Sequence, residues 1–186
     1  MSKKLILVGP SGVGKSTLRK WLFEGEDALK LLENPLEPTY GFENFSYKML
    51  KNLGVFDLAG QEFERWFEEE QEILDESDII INVMDARNAT KILTDYVLKA
   101  MTLQKHRSPT ANIFFLIHKV DLIDEIKKTK IENALDNLTK EILLNHNFTL
   151  NWYFTSIKSE YLSTAVNAFV ELMQTSGLAK EAQLNT

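Results

Sequence analysis

Cysteine is absent from this 186-residue chain, which removes disulfides, thiolate zinc sites, cysteine nucleophiles, prenylation and palmitoylation together. No apolar run approaches the roughly 20 residues that cross a bilayer. Residue 2 is Ser2, so the glycine that N-myristoylation requires is missing. Met1-Ser2-Lys3-Lys4 leaves too little chain before the first apolar stretch for a secretory leader. Basic charge is also short. With a net charge of −6 and no basic patch to offset phosphate repulsion, nucleic acid is not an expected partner. N-x-S/T sequons begin at Asn44, Asn88, Asn137 and Asn147, and in a chain without a leader they read as accidents of composition. The expectation is a soluble, cytoplasmic domain with no direct membrane anchor, recruited to membranes, if at all, by a partner protein.

What is present is ordinary in amount and specific in arrangement. A hydrophobic content of 44% and a charged content of 26% suit a globular protein. A chain of this length, folded as one α/β domain, buries roughly 70% of its unfolded surface. Its most informative stretch is Gly9-Pro10-Ser11-Gly12-Val13-Gly14-Lys15-Ser16, which reads G-x-x-x-x-G-K-S. Lys4-Leu5-Ile6-Leu7-Val8 before it suits a buried parallel strand, and Thr17 to Phe23 after it is a helical pattern. Such a loop folds its amides inward as an anion nest, and the helix start adds partial positive charge. Lys15 can reach β- and γ-phosphates, and Ser16 can place its hydroxyl on Mg²⁺. Gly9, Ser11, Gly12, Val13, Gly14, Lys15, Ser16 and Thr17 are therefore candidate nucleotide-contacting positions.

Downstream, Glu33 to Gly41 holds two prolines and a glycine and reads as a loop. Phe42 to Leu50 and Asn52 to Asp57 pair as an antiparallel hairpin. Leu58 to Glu62 is a second glycine-containing loop, followed by an acidic helix from about Glu64 to Asp75. Ile79 to Met84, apolar except for Asn82, has the pattern of a strand covered on both faces. Thr90 to His106 reads as a helix with Ile92, Leu93, Tyr96, Val97, Ala100, Met101 and Leu103 near one face. Ser108-Pro109 breaks it. Asn112 to Ile117 and Leu150 to Phe154 are the remaining strands, and Lys127 to Leu144 and Tyr161 to Met173 the remaining helices. The last of these turns Ala165, Phe169 and Leu172 inward. The fold class is α/β: a three-layer, doubly wound P-loop sheet of six strands, mostly parallel with one antiparallel edge strand, and about five helices. Residues 1–176 form the domain and 177–186 a polar tail.

In such sheets ligands bind beyond the carboxyl ends of the strands, so the loops there carry the next candidates. Asp57 closes the third strand and is placed to hold Mg²⁺, often through water. Gly60 offers an unobstructed amide to a γ-phosphate, and Gln61 can orient an attacking water. Thr39 is either a turn threonine or a second hydroxyl ligand to Mg²⁺ on a loop ordered by the γ-phosphate. His118-Lys119-Val120-Asp121 follows a buried strand. A carboxylate at Asp121 can accept from guanine N1 and N2, a donor pair that adenine lacks. The Lys119 stem can lie against the purine. Ser156-Ile157, after the last strand, can present a backbone amide to guanine O6. Taken alone, these are polar strand ends of a kind any α/β protein has.

Together the segments resemble the Ras-superfamily small GTPases, in order and over nearly the whole chain. Pro38-Thr39-Tyr40-Gly41-Phe42-Glu43 resembles the Arf-group switch I. His118-Lys119-Val120-Asp121, with His where most members have Asn, resembles the Rag group. The resemblance implies GTP/GDP and Mg²⁺ as cofactors, and a switch whose loops change partner binding with nucleotide state. It also implies that residue 118 ties the base loop to the phosphate loop.

On that reading Gln61, Lys15 and Gly60 carry catalysis, Ser16, Thr39 and Asp57 hold the metal, and hydrolysis is slow. No arginine lies in the Asn34 to Phe42 loop to act as a finger, a contribution worth roughly 10³–10⁵ in rate, so a GTPase-activating partner would supply it. Effectors, activating proteins and exchange factors are expected on Thr39–Phe45 and Gln61–Phe67, and a dimer through this domain is left open. Phe63, Trp66 and Phe67 read equally as helix packing or as a partner surface, and Glu68, Glu69, Glu70 and Glu72 as a solvated face. The alternatives are a hydrolysis-deficient scaffold, a dimerising Rag-like module, or a small-molecule kinase. The last is disfavoured because no loop carries the arginine cluster of a kinase lid.

Overall fold

The computed structural model describes residues 3–34, 36–46, 53–146 and 149–178. The continuation of the second strand through Leu50, the turn before Leu53, the tail after Leu178 and the side chains of Phe67 and His146 lie outside the described residues.

Alternation along the strands decides the architecture. In β1 (Lys3–Val8), β4 (Ile79–Asp85) and β5 (Asn112–His118) nearly every residue is buried. Successive side chains of a strand point to opposite faces, so two apolar layers form. Ile6, Val8, Ile80, Met84, Phe115 and Ile117 pack into one, while Leu5, Leu7, Ile79, Ile81, Phe114 and Leu116 pack into the other. Continuous apolar strands covered on both sides are what a parallel sheet requires. The six strands lie in the order β2 (Phe42–Ser46), β3 (Leu53–Leu58), β1, β4, β5, β6 (Asn151–Thr155). β2 runs antiparallel to β3 at one edge, and every other pairing is parallel.

The helices close both faces. α4 (Thr90–Arg107) and α5 (Glu125–His146) bury Leu93, Val97, Ala100, Ile131 and Leu135 on the first face. α1 (Lys15–Arg19), α2 (Ala28–Glu33) and α6 (Leu162–Thr175) cover the second with Leu18, Leu31, Ala168 and Leu172. With α3 (Phe63–Glu68) this makes six α-helices among the described residues, where about five were expected. The addition is α2, whose start is fixed by Asp27 accepting from the Lys30 amide at 3.0 Å. The first helix also departs from its expected form, passing into a π-helical turn at Lys20–Glu24 that Gly25 ends.

Three expectations are corrected. The acidic helix expected to reach Asp75 stops at Glu68, and a 3₁₀ turn over Gln71–Leu74 follows. The amides of Glu69 and Glu70 both donate to the Arg65 carbonyl at 2.9 Å, while the Arg65 guanidinium reaches Glu70 at 2.8 Å, which closes the helix on itself. Continuing the helix would also set Glu68 and Glu72 one turn apart as a like-charge pair. Ile92, expected on the buried face of α4, is 57% exposed. In α6 the fully inward positions are Ala165, Ala168 and Leu172, with Phe169 only half-buried against Phe23. Asn82, the polar residue in apolar β4, is fully satisfied: it exchanges hydrogen bonds with Gln104 at 3.0 and 2.8 Å and accepts from the Tyr96 hydroxyl at 2.8 Å.

Candidate functional site

All parallel strands end at the same side of the sheet, and a cavity of about 570 Å³ opens there. At one end lie Ser11, Gly12, Gly14, Lys15, Ser16 and Thr17. Lys15 is only 6% exposed, and its Nζ donates to the carbonyls of Gly9 (2.9 Å) and Pro10 (3.1 Å). Burial lowers the ammonium pKa to about 8, with the Asp57 carboxylate pulling the other way. An ammonium held by neutral carbonyls in a desolvated loop is a strong receptor for a polyanion. Gly9 and Val13 do not face the cavity: Gly9 passes against Val83 of β4, and Val13 is buried in the second apolar layer.

The metal candidates converge on the same end. Ser16 Oγ and Thr39 Oγ1 are 3.1 Å apart. Asp57 is fully buried; its Oδ2 accepts from Arg19 Nε at 3.4 Å, and its Oδ1 has no hydrogen-bond partner. An orphaned buried carboxylate oxygen is a costly feature unless something cationic meets it. The residues present therefore fit a hard divalent cation. Among the described residues no three His, Asp or Glu side chains gather into a ligating group, so such an ion would rest on one carboxylate, two hydroxyls and oxygens of the ligand.

Gly60 presses so closely on the phosphate loop that a Cβ there would stand 2.4 Å from the Ser11 nitrogen. Its neighbour Gln61 is exposed and does not line the cavity. The two loops over the phosphate end are tied to each other: the Ala59 amide donates to the Gly41 carbonyl at 2.8 Å, and the Gly41 amide to Glu62 at 3.1 Å. Trp66, 3% exposed, donates its indole N–H to the Ala59 carbonyl at 3.1 Å. Of the two readings of the aromatic segment, packing describes Trp66, and Phe63 lies tilted against Tyr96 with centroids 5.4 Å apart.

At the other end of the cavity stand His118, Lys119, Asp121, Ser156 and Ile157. The Ser156 hydroxyl donates to Asp121 Oδ1 at 2.6 Å, and Lys158 Nζ lies 3.7 Å from Oδ2. The carboxylate is thus held in place while facing the cavity. Lys119 adopts a left-handed backbone (φ 63°) and donates its ammonium to the Gly12 carbonyl. His118 is buried, with Nδ1 3.0 Å from Thr155 Oγ1 and its ring against Gly14. Burial, reinforced by the Lys119 charge, lowers its pKa to about 4, so the imidazole is neutral near pH 7.

Sequence reasoning passed over Asp85 and Arg87. Asp85 closes β4 at the same sheet end, salt-bridges Lys119 at 3.1 Å and Arg87 at 2.7 Å, and so braces the Lys119–Gly12 link. Burial works against its charge, but hydrogen bonds from Arg87 and Lys119 outweigh that and hold it well below the usual carboxylate range. The signal was available: Asp85 ends a strand apolar but for Asn82, at the side of the sheet where ligands bind. The apolar wall of Leu31, Leu32 and Leu36 was also missed, Leu31 and Leu32 because α2 itself was not expected.

A chain with its phosphate loop between β1 and α1 and a braced carboxylate after β5, both facing one cavity, is a P-loop domain of the small G-protein class. Comparison with known proteins narrows this. A family described as "Gtr1/RagA G protein conserved region" matches residues 4–183. The chain is 31% identical over 176 residues to "GTP-binding protein GTR1" of Saccharomyces cerevisiae, covering 90% of this chain and 56% of that one. It is 31% identical over 179 residues to "GTP-binding protein gtr1" of Schizosaccharomyces pombe, covering 91% and 56%. Against "Ras-related GTP-binding protein B" of Rattus norvegicus it is 25% identical over 203 residues, covering 91% and 54%. The chain belongs to the Gtr1/RagA G protein family. It spans about half the length of these relatives.

Proposed function

We propose that this domain is a GTP-binding, GTP-hydrolysing switch. The observation that carries this is one cavity with a desolvated lysine at one end and a braced carboxylate acceptor, Asp121, at the other. Guanine offers N1–H and N2–H₂ to such an acceptor, and adenine offers no equivalent pair. Ser16, Thr39 and Asp57 would hold Mg²⁺, which would supply charge neutralisation to the β- and γ-phosphates. Lys15 would bind the β-phosphate in either nucleotide state and the γ-phosphate when it is present. Thr39 and Gly60 would respond to the γ-phosphate, and the Gly41–Ala59 and Gly41–Glu62 links would make the two loops respond together.

Hydrolysis would use Gln61 to orient the attacking water. Because Gln61 is solvent-exposed and outside the cavity wall, intrinsic turnover is slow, and a partner supplies both its ordering and a missing cation. Effectors, activating and exchange proteins would engage Thr39–Phe45 and Gln61–Phe67, and the domain would work in the cytoplasm, reaching membranes through a partner. The exposed Gln61 also favours a second reading, a nucleotide-dependent scaffold with negligible turnover. Single-turnover GTP hydrolysis by the wild type and Gln61→Leu separates them. A slow wild-type rate that falls at least tenfold in Gln61→Leu supports the switch; no measurable wild-type turnover assigns the scaffold, and equal measurable rates remove Gln61 from the mechanism.

A further inference from the structure

Arg19 lies outside the nucleotide motifs, yet it is one of the most deeply buried cations in the molecule, 3% exposed. It projects from α1, one turn beyond Lys15 and Ser16, and meets Asp57 through Nε at 3.4 Å. Its Nη1 pairs with Glu24 of the π-helical turn. Its guanidinium carbon stands 3.6 Å from the centroid of the Phe45 ring, which belongs to the edge strand β2. One oxygen of Asp57 therefore already faces a protein cation, while the other is buried and unpartnered.

We propose that Arg19 is an internal counter-charge that competes with the divalent cation for Asp57, and so sets how much magnesium the site requires. This rests on the reading of Asp57 as part of the metal site. The physical case is electrostatic. Two cations around one carboxylate repel each other, and the repulsion is large where water is excluded. Phe45 covers the Arg19 guanidinium from one side, and Asp57 is fully buried, so little solvent screens the pair. Without metal, Arg19 keeps Asp57 from being a wholly unpaired buried charge. With metal, the same guanidinium disfavours the ion. The π-helical turn carries Glu24, which pairs with Arg19 Nη1 while Nε faces Asp57.

The test is thermal unfolding of the full chain loaded with GDP, titrated with MgCl₂ from an EDTA-stripped start. The magnesium concentration at half-maximal stabilisation is read for wild type and each variant. Wild type is expected to gain stability with magnesium. Arg19→Gln is expected to melt lower in EDTA but to reach its half-maximal gain at about tenfold less magnesium. Arg19→Lys, which keeps the charge, should stay within about twofold of wild type. Should Arg19→Gln not fold, Phe45→Leu admits water to the pair and should shift the midpoint about threefold in the same direction. An Arg19→Gln protein that is destabilised equally with and without magnesium, at an unchanged midpoint, overturns the proposal and makes Arg19 a packing residue. Asp57→Asn is the control: if wild type and Asp57→Asn respond identically to magnesium, the metal-site reading of Asp57 fails, and the proposal with it.

Discussion

The imidazole of His118 rests on the backbone of Gly14, so closely that a Cβ on Gly14 would stand 2.7 Å from His118 Cδ2. This contact joins the base-reading loop after β5 to the phosphate loop after β1. It gives residue 118 a linking role built from ring packing rather than from a side-chain amide. Thr155 at the end of β6 fixes the ring from its other side, at 3.0 Å from Nδ1. Three neighbouring loops are thereby held at one spacing.

Gly14→Ala should break that contact and also strain the backbone, since Gly14 has φ 104°. Overpacking against a buried ring and the disfavoured dihedral together are expected to cost roughly 2–4 kcal/mol. Denaturant unfolding measures it, and the double variant Gly14→Ala/His118→Ala should recover only the packing share. A Gly14→Ala protein within about 0.5 kcal/mol of wild type would show that the contact carries little.

Acid should weaken the fold through His118. Its folded pKa, lowered to about 4, lies below the ordinary 6.5 of the unfolded chain. Between those values the unfolded state binds more protons, so stability rises with pH. The contribution is fully present above about 6.5 and is lost as pH falls through about 4. It amounts to roughly 3 kcal/mol across that window. Unfolding free energies of wild type and His118→Asn from pH 7 to 4 check this: the variant's slope should be shallower.

Asp121→Asn should change which base is bound. An amide replaces one acceptor with a donor, which suits xanthine, whose C2 carries an oxygen in place of the guanine amine. Loss of at least tenfold in GDP affinity, with a relative gain for xanthosine diphosphate, is the expected outcome; leaving a buried donor unmet costs about 1–3 kcal/mol. Equal affinity for both nucleotides in wild type and variant would remove Asp121 from base reading.

Much of this was legible in the chain itself, for identifiable reasons. Unbroken apolar runs such as Ile79–Ile81 and Phe114–Ile117 have few alternatives to a two-sided parallel strand, and they form one. The order of Lys15, Thr39, Asp57 and Asp121 marked successive sheet ends, and the structure gathers Lys15, Thr39 and Asp121 around one cavity with Asp57 buried behind it. What escaped was short-range competition. α2 is a single capped turn and a half just ahead of the proline-containing loop, and nothing in its length announced it. The acidic helix ended early because Arg65 captured both the backbone and the side chain of Glu70. The role of Arg19 depends on a π-helical turn, and no periodicity at 3.6 residues foretells one.

The most direct measurement is competition for the cavity: displacement of a fluorescent guanosine diphosphate by GTP, GDP and ATP, with Mg²⁺ present. A guanine-reading carboxylate at Asp121 and a polyphosphate cradle at Lys15 require GTP and GDP to displace it at least a hundredfold more effectively than ATP, on the order of 3 kcal/mol of discrimination. Displacement by ATP at equal or lower concentration would contradict the guanine-nucleotide switch at its root.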